Sequence, residues 1–461
     1  MAERLTGFFR VFAKTLRTRT HDTSGYAYAY VSGLLRMESG RNLTNISRQT
    51  GVDKQAMQHD MSQSAWSSRA AIQEVQDQMA VRPELQEETM ILLDESGEER
   101  SGDKSAGVAR QYLGRMGKVD LGQVGVYVSL VKGTFWSWVD GELDLPQAWF
   151  NADHAALREQ VGSPTQRMFA TKAQLGLQLV ERVRAQGVKF EAVGCDGFYG
   201  HDGGFRAELD QRNFQYMADV PANQRVYLST PTIGLPTHTT GRQAEHERVL
   251  SPKAYRVDKL RDASDTHWQT LTIRATERGE LTADFAARRV WTVWQDEKEK
   301  HPLREEWLVM RRDSGGKCYY ALSNAPVDTP LTVLARRKCQ RFFIERTNQD
   351  AKSELGWDEI QTTKYLAWEH HLALTILAAW FIAETKLDWV NDLARDPVLL
   401  AHYELDVLPA LSMANVRTML RAALPLPQLS HAQAIDLVFE HLDNRARSRR
   451  SRLKIRSGTE T

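Results

Sequence analysis

Cysteine is scarce in this 461-residue chain: Cys195, Cys318 and Cys339 stand far apart with no CxxC pair. That spacing argues against a disulfide framework or a zinc knuckle and fits a reducing cytosol, so a cytoplasmic protein is expected. Long apolar runs are missing too. The longest, LALTILAAWFIA at 372–383, falls short of the roughly 20 residues that cross a bilayer and reads as a buried helix, so no membrane partner is expected. The histidines, including His201, His370 and His371, form no HExxH or similar ligand pattern, which points to packing and capping rather than zinc. The N-terminus lacks a secretory pattern. Arg4, Arg10, Lys14, Arg17 and Arg19 face one acid, Glu3, but RLTGFFRVFAKTL continues into helical sequence, so an integral helix is expected.

Net charge, at +1, is also close to absent and carries no information until its distribution is read. The segment RARSRRSRLKIR at 445–456 holds seven cations and no acid. Such a block suits phosphates, or else forms a solvated tail. At 42% hydrophobic and 26% charged, the remainder is ordinary for a folded protein of several domains.

Residues 1–85 read as helical. NLTNISRQTGVDKQAMQHDMSQSAW has the cadence of two short helices around Gly51, as in a helix-turn-helix, a pattern that equally describes two helices packed on each other. From residue 89 the period changes. TMILLDESG predicts a buried strand ending at Asp94, 123–131 and 134–146 a pair of strands around Gly133, and 171–187 an amphipathic helix stopped by glycine. VKFEAVGCDGFYG then predicts a strand ending at Asp196. Two strands thus deliver an aspartate at their C-terminal ends, where ligand sites form in open α/β sheets. Either aspartate alone reads as a turn cap.

The segment RFFIERTNQDAKSELG at 341–356 predicts a helix. At about 100° per residue, Glu345 lies roughly 40° from Arg341 and Lys352 roughly 20° from Glu345, one stripe of charge. Phe342, Phe343 and Ile344 are expected to anchor this helix in the core. Three carboxylates, Asp94, Asp196 and Glu345, are then available for one site. Clustered all-oxygen ligands favour hard ions such as Mg²⁺ or Mn²⁺, and two such ions suit phosphoryl transfer.

Asp94, Asp196 and Glu345, in the order strand, strand, helix, resemble the catalytic triad of the RNase H-like DDE transposases of bacterial insertion sequences. Arg341, Glu345 and Lys352 match the Tyr-x2-Arg-x3-Glu-x6-Lys signature of one branch, with Lys338 where that signature has tyrosine. The block DESGEERSGDKSAGVARQYLGRMGKVDLGQVGV, with Arg110 and Lys118, is similar to the first block of that branch. The resemblance covers roughly residues 35–390.

The resemblance implies an α/β fold: an RNase H-like core (86–220 and 319–390) interrupted by a β-rich insertion domain (221–318). Helical regions flank it, one for DNA binding or dimerisation (1–85) and one carrying the basic tail (391–461). It implies a metal site of Asp94, Asp196 and Glu345 with two Mg²⁺ ions, Mn²⁺ substituting. Arg341, Lys352, Lys338, Arg110 and Lys118 are expected on DNA phosphates. Trp291 and Trp294 are expected either to stack on a flipped base or to pack in a small β core. The implied activity is cleavage at the terminal inverted repeats and joining of the 3′-OH ends to target DNA, by a homodimer associated with the bacterial nucleoid. A nuclease or resolvase of the same fold, and a non-catalytic DNA-binding descendant, are the alternatives.

Overall fold

The apolar run at 90–93 is unbroken because both of its faces are covered. It opens β1 (Met90–Glu99), a central strand of a ten-stranded sheet. Ile91 and Leu93 enter the larger core, while Met90 and Leu92 pack with Leu334, Phe343 and Ile344 in a second core. This is the two-residue period of a strand. Carried forward, the period puts Asp94 and Glu98 on the second face and Glu95 on the first.

The computed structural model describes residues 1–457 apart from 115, 237–245, 277–278, 296–299, 303–304 and 429. After β1 come β2 (Ala109–Leu113), β3 (Lys118–Lys132) and β4 (Phe135–Leu143). The long β3 runs antiparallel to β1, and its other edge takes β2 along 118–122 and β4 along 125–132. β5 (Ala192–Cys195) and β6 (Tyr216–Val220) lie parallel to β1, with Leu93, Cys195 and Ala218 in register.

Further along are β7 (Arg225–Val226), β8 (Thr232–Gly234), β9 (Arg248–Ser251), β10 (Tyr255–Arg256), β11 (Gln269–Thr276) and β12 (Gly279–Val290). β13 (Val293–Gln295), β14 (Lys300–Pro302), β15 (Glu306–Arg312) and β16 (Cys318–Ser323) complete the strands. Three short pairs, β7 with β10, β8 with β9 and β13 with β14, stand apart. β16 pairs with β6, and β15, β12 and β11 follow outward, so most of the β-rich stretch extends the main sheet.

The N-terminal helices α1 (Ala2–Phe12), α2 (Ser24–Arg36), α3 (Leu43–Thr50), α4 (Lys54–Gln63) and α5 (Ser68–Val81) share the larger core with the sheet. The α3 and α4 pair turns at Gly51 in a left-handed conformation, with Asn42 and Asp53 as caps. Between β4 and β5 lie α6 (Ala155–Val161) and α7 (Lys172–Ala185), the latter started by a capping box of Thr171 and Gln174. α8 (Gly197–His201) and α9 (Gly203–Gln211) join β5 to β6, and α10 (Val257–Leu260) follows β10.

α11 (Leu331–Gln340), α12 (Phe343–Ser353) and α13 (Tyr365–Asp388) carry the chain back across the sheet. α13, extended to Leu393, is long and apolar enough to cross a membrane, yet 89% of its apolar window is buried within the protein. His370 faces the carbonyls of Met61 and Trp66, and His371 bonds the Trp357 carbonyl and the Tyr30 hydroxyl. α14 (Pro397–Tyr403), α15 (Met413–Ala423) and α16 (His431–Ser457) close the chain. Arg445, Arg447, Arg449 and Arg450 of the basic run lie on α16, and its later side chains fall outside the described residues.

The segment around Arg341 is not one helix. Arg341 caps α11 and two turn residues precede α12, so Lys338 belongs to one helix and Glu345 to the next. Phe342, expected in the core, is 58% exposed because the break turns it outward, while Phe343 and Ile344 are buried. Each buried side chain contributes about 2 kcal/mol to holding α12 on the sheet.

Candidate active site

Three adjacent parallel strands carry acids where their parallel pairing stops, on the face that α11 and α12 cover. Asp94 does not end its strand as the sequence suggests: β1 runs on to Glu99, because its antiparallel pairing with β3 continues past the last residue paired with β5. Asp94 follows Leu93 in β1, Asp196 follows Cys195 after β5, and Asp219 follows Ala218 in β6, and the register places them side by side. Asp219 was not anticipated from the sequence. Its signal is faint: one acid in YMADV, with nothing local to show that β6 lies beside β5.

Asp94 is half-buried. Its Oδ1 accepts from the Glu95 amide at 2.8 Å and its Oδ2 from Asn348 Nδ2 at 3.2 Å. Burial first, then repulsion from Asp196, pushes its carboxyl up to about 7, against the pull of that amide and of Arg341. Asp196 caps α8, accepting from the amides of Phe198 at 3.0 Å and Tyr199 at 3.3 Å. Its pKa is also raised, by burial and in smaller part by Asp219, with the Tyr199 amide and Arg341 opposing.

Asp219 accepts from Lys338 Nζ at 2.5 Å and from Arg341 Nε at 2.5 Å. Arg341 also reaches Glu345, with Nη1 3.2 Å from Oε1. Burial works against the Arg341 charge, but Asp219, Glu345 and Asp196 more than offset it, so its pKa rises. One guanidinium therefore bonds two carboxylates and acts through space on Asp196 and Asp94. Glu345 is 68% exposed on the rim.

The cations expected on DNA are placed unevenly. Lys338 is only 5% exposed and committed to Asp219. Lys352 is mostly buried and pairs with Glu98 at 2.6 Å, across the face that β1 shares with α12. Arg110 and Lys118 lie on the exposed β2 and β3 hairpin, Lys118 pairing with Asp120 at the surface. Trp291 bridges Tyr227 through two backbone hydrogen bonds of 2.8 Å. Trp294 packs on the start of α9, where a Cβ on Gly203 would lie 2.3 Å from its own. Close by, Arg206 and Glu306 form a buried pair with Tyr216 and Thr292. Both tryptophans are half-buried.

Asp94 and Asp196 fit a hard divalent cation: the donors are oxygens, they adjoin, and both resist ionisation without a cation between them. Glu345 is not gathered with them. Among the described residues no group of three His, Cys, Asp or Glu side chains is close enough to hold one ion. The structure thus brings together two of the three expected ligands and ties the third to them through Arg341.

Two acids thus lie side by side on adjacent parallel strands, and a third stands on a following helix. Residues 10–280 match the family described as DDE superfamily endonuclease, more than half of the chain, and the protein belongs to that family. The match takes in Asp94 and Asp196 and ends before Glu345. The chain is also similar to a protein of Microchaete diplosiphon named as a probable transposase for insertion sequence element IS701. The two are 25% identical over 357 residues, which is 76% of this chain and 80% of the relative.

Proposed function

We propose that the protein is the DNA transposase of an insertion sequence, cutting at the element's ends and joining its 3′-OH ends to target DNA. The observation that carries this reading is the side-by-side placement of Asp94 and Asp196, just past the last residues that pair β1 with β5, in a DDE superfamily endonuclease. The parallel β1, β5 and β6, flanked by antiparallel β3 and β4, support an RNase H-like core running to residue 220 and resuming at 319–390, which carries α11, α12 and α13. Residues 221–318 are the insertion, grown from the β6 edge, and 1–85 and 391–461 are the flanking helical regions.

Asp94 and Asp196 would hold Mg²⁺ or Mn²⁺, and Glu345 would complete the set once its pair with Arg341 opens. A bound divalent ion supplies Lewis-acid activation of water and charge stabilisation at the phosphate. The chain's own residues prepare that site. Lys338 and Arg341 keep Asp219 neutralised so that the row of acids can stay folded, and Lys352 fixes α12 to β1 through Glu98. Arg110, Lys118 and the described α16 arginines are exposed and would meet DNA phosphates, Lys118 by giving up its surface pair with Asp120, so binding should weaken steeply with salt. Joining two ends calls for two protomers in the DNA complex.

The test is cleavage and strand transfer on labelled DNA bearing the element's ends, with Mg²⁺, Mn²⁺ or EDTA. Wild type should cut and join only with metal, and Asp94→Asn, Asp196→Asn and Glu345→Gln should each lose at least about a hundredfold in rate. Metal-dependent cutting that survives Glu345→Gln would remove Glu345 from the site. Cutting without joining would make the protein a nuclease, and end binding without cutting a DNA-binding descendant.

A further inference from the structure

Among the described residues α12 reaches the acid pair through one side-chain hydrogen bond, from Asn348, and that bond has a fixed chemical polarity. Asn348, 8% exposed, accepts at Oδ1 from the indole Nε1 of Trp138, 3.2 Å away, and donates from Nδ2 to Asp94 Oδ2 at 3.2 Å. An indole N–H can only donate, so the amide oxygen must face Trp138 and the NH₂ must face Asp94. Trp138 cannot readily turn, because it is buried, stacked on Tyr127 at 4.5 Å and set edge-on to Trp357 at 5.3 Å. With the Glu95 amide on Oδ1, both oxygens of Asp94 then carry one fixed donor each.

We propose that Asn348 is a positioning residue for the metal ligand Asp94, a role that rests on the transposase reading of the same site. It acts through Asp94 and touches neither metal nor DNA. Held by Asn348 on one oxygen and the Glu95 amide on the other, the Asp94 carboxylate is kept from swinging away from Asp196, and its remaining lone pairs would be left to take a cation. The same bond anchors α12 one turn beyond Glu345, so Glu345 needs only its own side chain to move toward the pair. An aspartate at 348 would have set a further negative charge against Asp94. An alanine or a leucine removes the donor.

The experiment is Mn²⁺ binding to the full chain without DNA, followed by the electron paramagnetic resonance of free Mn²⁺ and by calorimetry, for wild type, Asp94→Asn, Asn348→Ala and Asn348→Leu. Leucine fills the space that alanine leaves empty, and urea unfolding checks that each variant is folded. Outer partners of metal ligands are worth about 10- to 100-fold in affinity, so both Asn348 variants should bind Mn²⁺ about 10-fold more weakly or worse. Asp94→Asn should bind more weakly still. Wild-type affinity in folded Asn348→Leu, with Asp94→Asn impaired, would overturn the role of Asn348 and leave the site reading intact. Wild-type affinity in Asp94→Asn, or no Mn²⁺ binding by wild type, would overturn both.

Discussion

Asp219 illustrates how one side chain can decide what its neighbours are able to do. Lys338 and Arg341 both end on its carboxylate, and the three groups lie largely out of water. Replacing Asp219 by asparagine leaves Lys338 without an anion in a place where water cannot substitute. Breaking a buried pair in this way costs about 3 kcal/mol, so urea unfolding of Asp219→Asn should shift by that amount. A change within about 0.5 kcal/mol, the range of ordinary surface substitutions, would show that the cations are solvated instead. The same geometry explains why a lysine can stand at the position where the related signature has tyrosine: its ammonium is used inside the protein, on an acid at the end of β6. The stripe of Arg341, Glu345 and Lys352 is legible in the sequence because it depends on local spacing alone. Their partners Asp219 and Glu98 are not, since each comes from a strand distant in sequence.

At the scale of elements, the site depends on how α8 sits between β5 and β6. Asp196 caps α8 at its start, and Gly200 near its end lies directly on the β6 backbone. A Cβ there would meet the Asp219 carbonyl oxygen at 2.0 Å. Backbone cannot move aside as a side chain can. Gly200→Ala should therefore cost about 2 kcal/mol in urea unfolding and, by lifting α8, pull Asp196 out of line with Asp94 and reduce cleavage. Unfolding at the wild-type urea concentration would rule out this close packing. Legibility follows burial here as well. β1, β3, β4 and α7 show in the sequence because MILL and VYVSLV are covered on both faces and α7 has its cap and glycine stop. β2 is hidden because it is an edge strand with Arg110 and Tyr112 open to solvent. The break at Arg341 and Phe342 is hidden because both residues keep helical backbone angles and differ only in what they touch. That β11, β12, β15 and β16 continue the main sheet rests on the pairing of β16 with β6, which no local pattern encodes.

At the scale of the molecule, the N-terminal helices, the sheet and α13 meet at one ionic knot. Asp140, fully buried on β4, is held by Arg69 of α5 and by Arg182 of α7, and Glu142 by Arg182 and Arg167. Glu369 of α13 faces this knot from the cavity beside it. Burial, then repulsion from Glu142, pushes its carboxyl up to about 7, although Arg167, Arg69 and Arg182 pull the other way. In the unfolded chain the same group titrates near 4.3. The folded state therefore holds this proton more tightly, and stability from the neutral carboxyl is fully present below the unfolded value and lost as pH rises through about 7. Glu369→Gln removes that titration and keeps the shape. The difference in unfolding free energy between the variant and wild type should accordingly grow in favour of glutamine from pH 5 to pH 8, by about 2 to 3 kcal/mol. The histidines of α13 act in the opposite sense and cancel in this comparison, because both proteins contain them. Burial lowers His370 to about 4 and His371 to about 3, so their contribution is present above about 6.5 and lost on acidification. A difference that stays flat from pH 5 to pH 8 would mean that Glu369 is ionised and solvated, and that the knot between α5, α7, β4 and α13 is open to water.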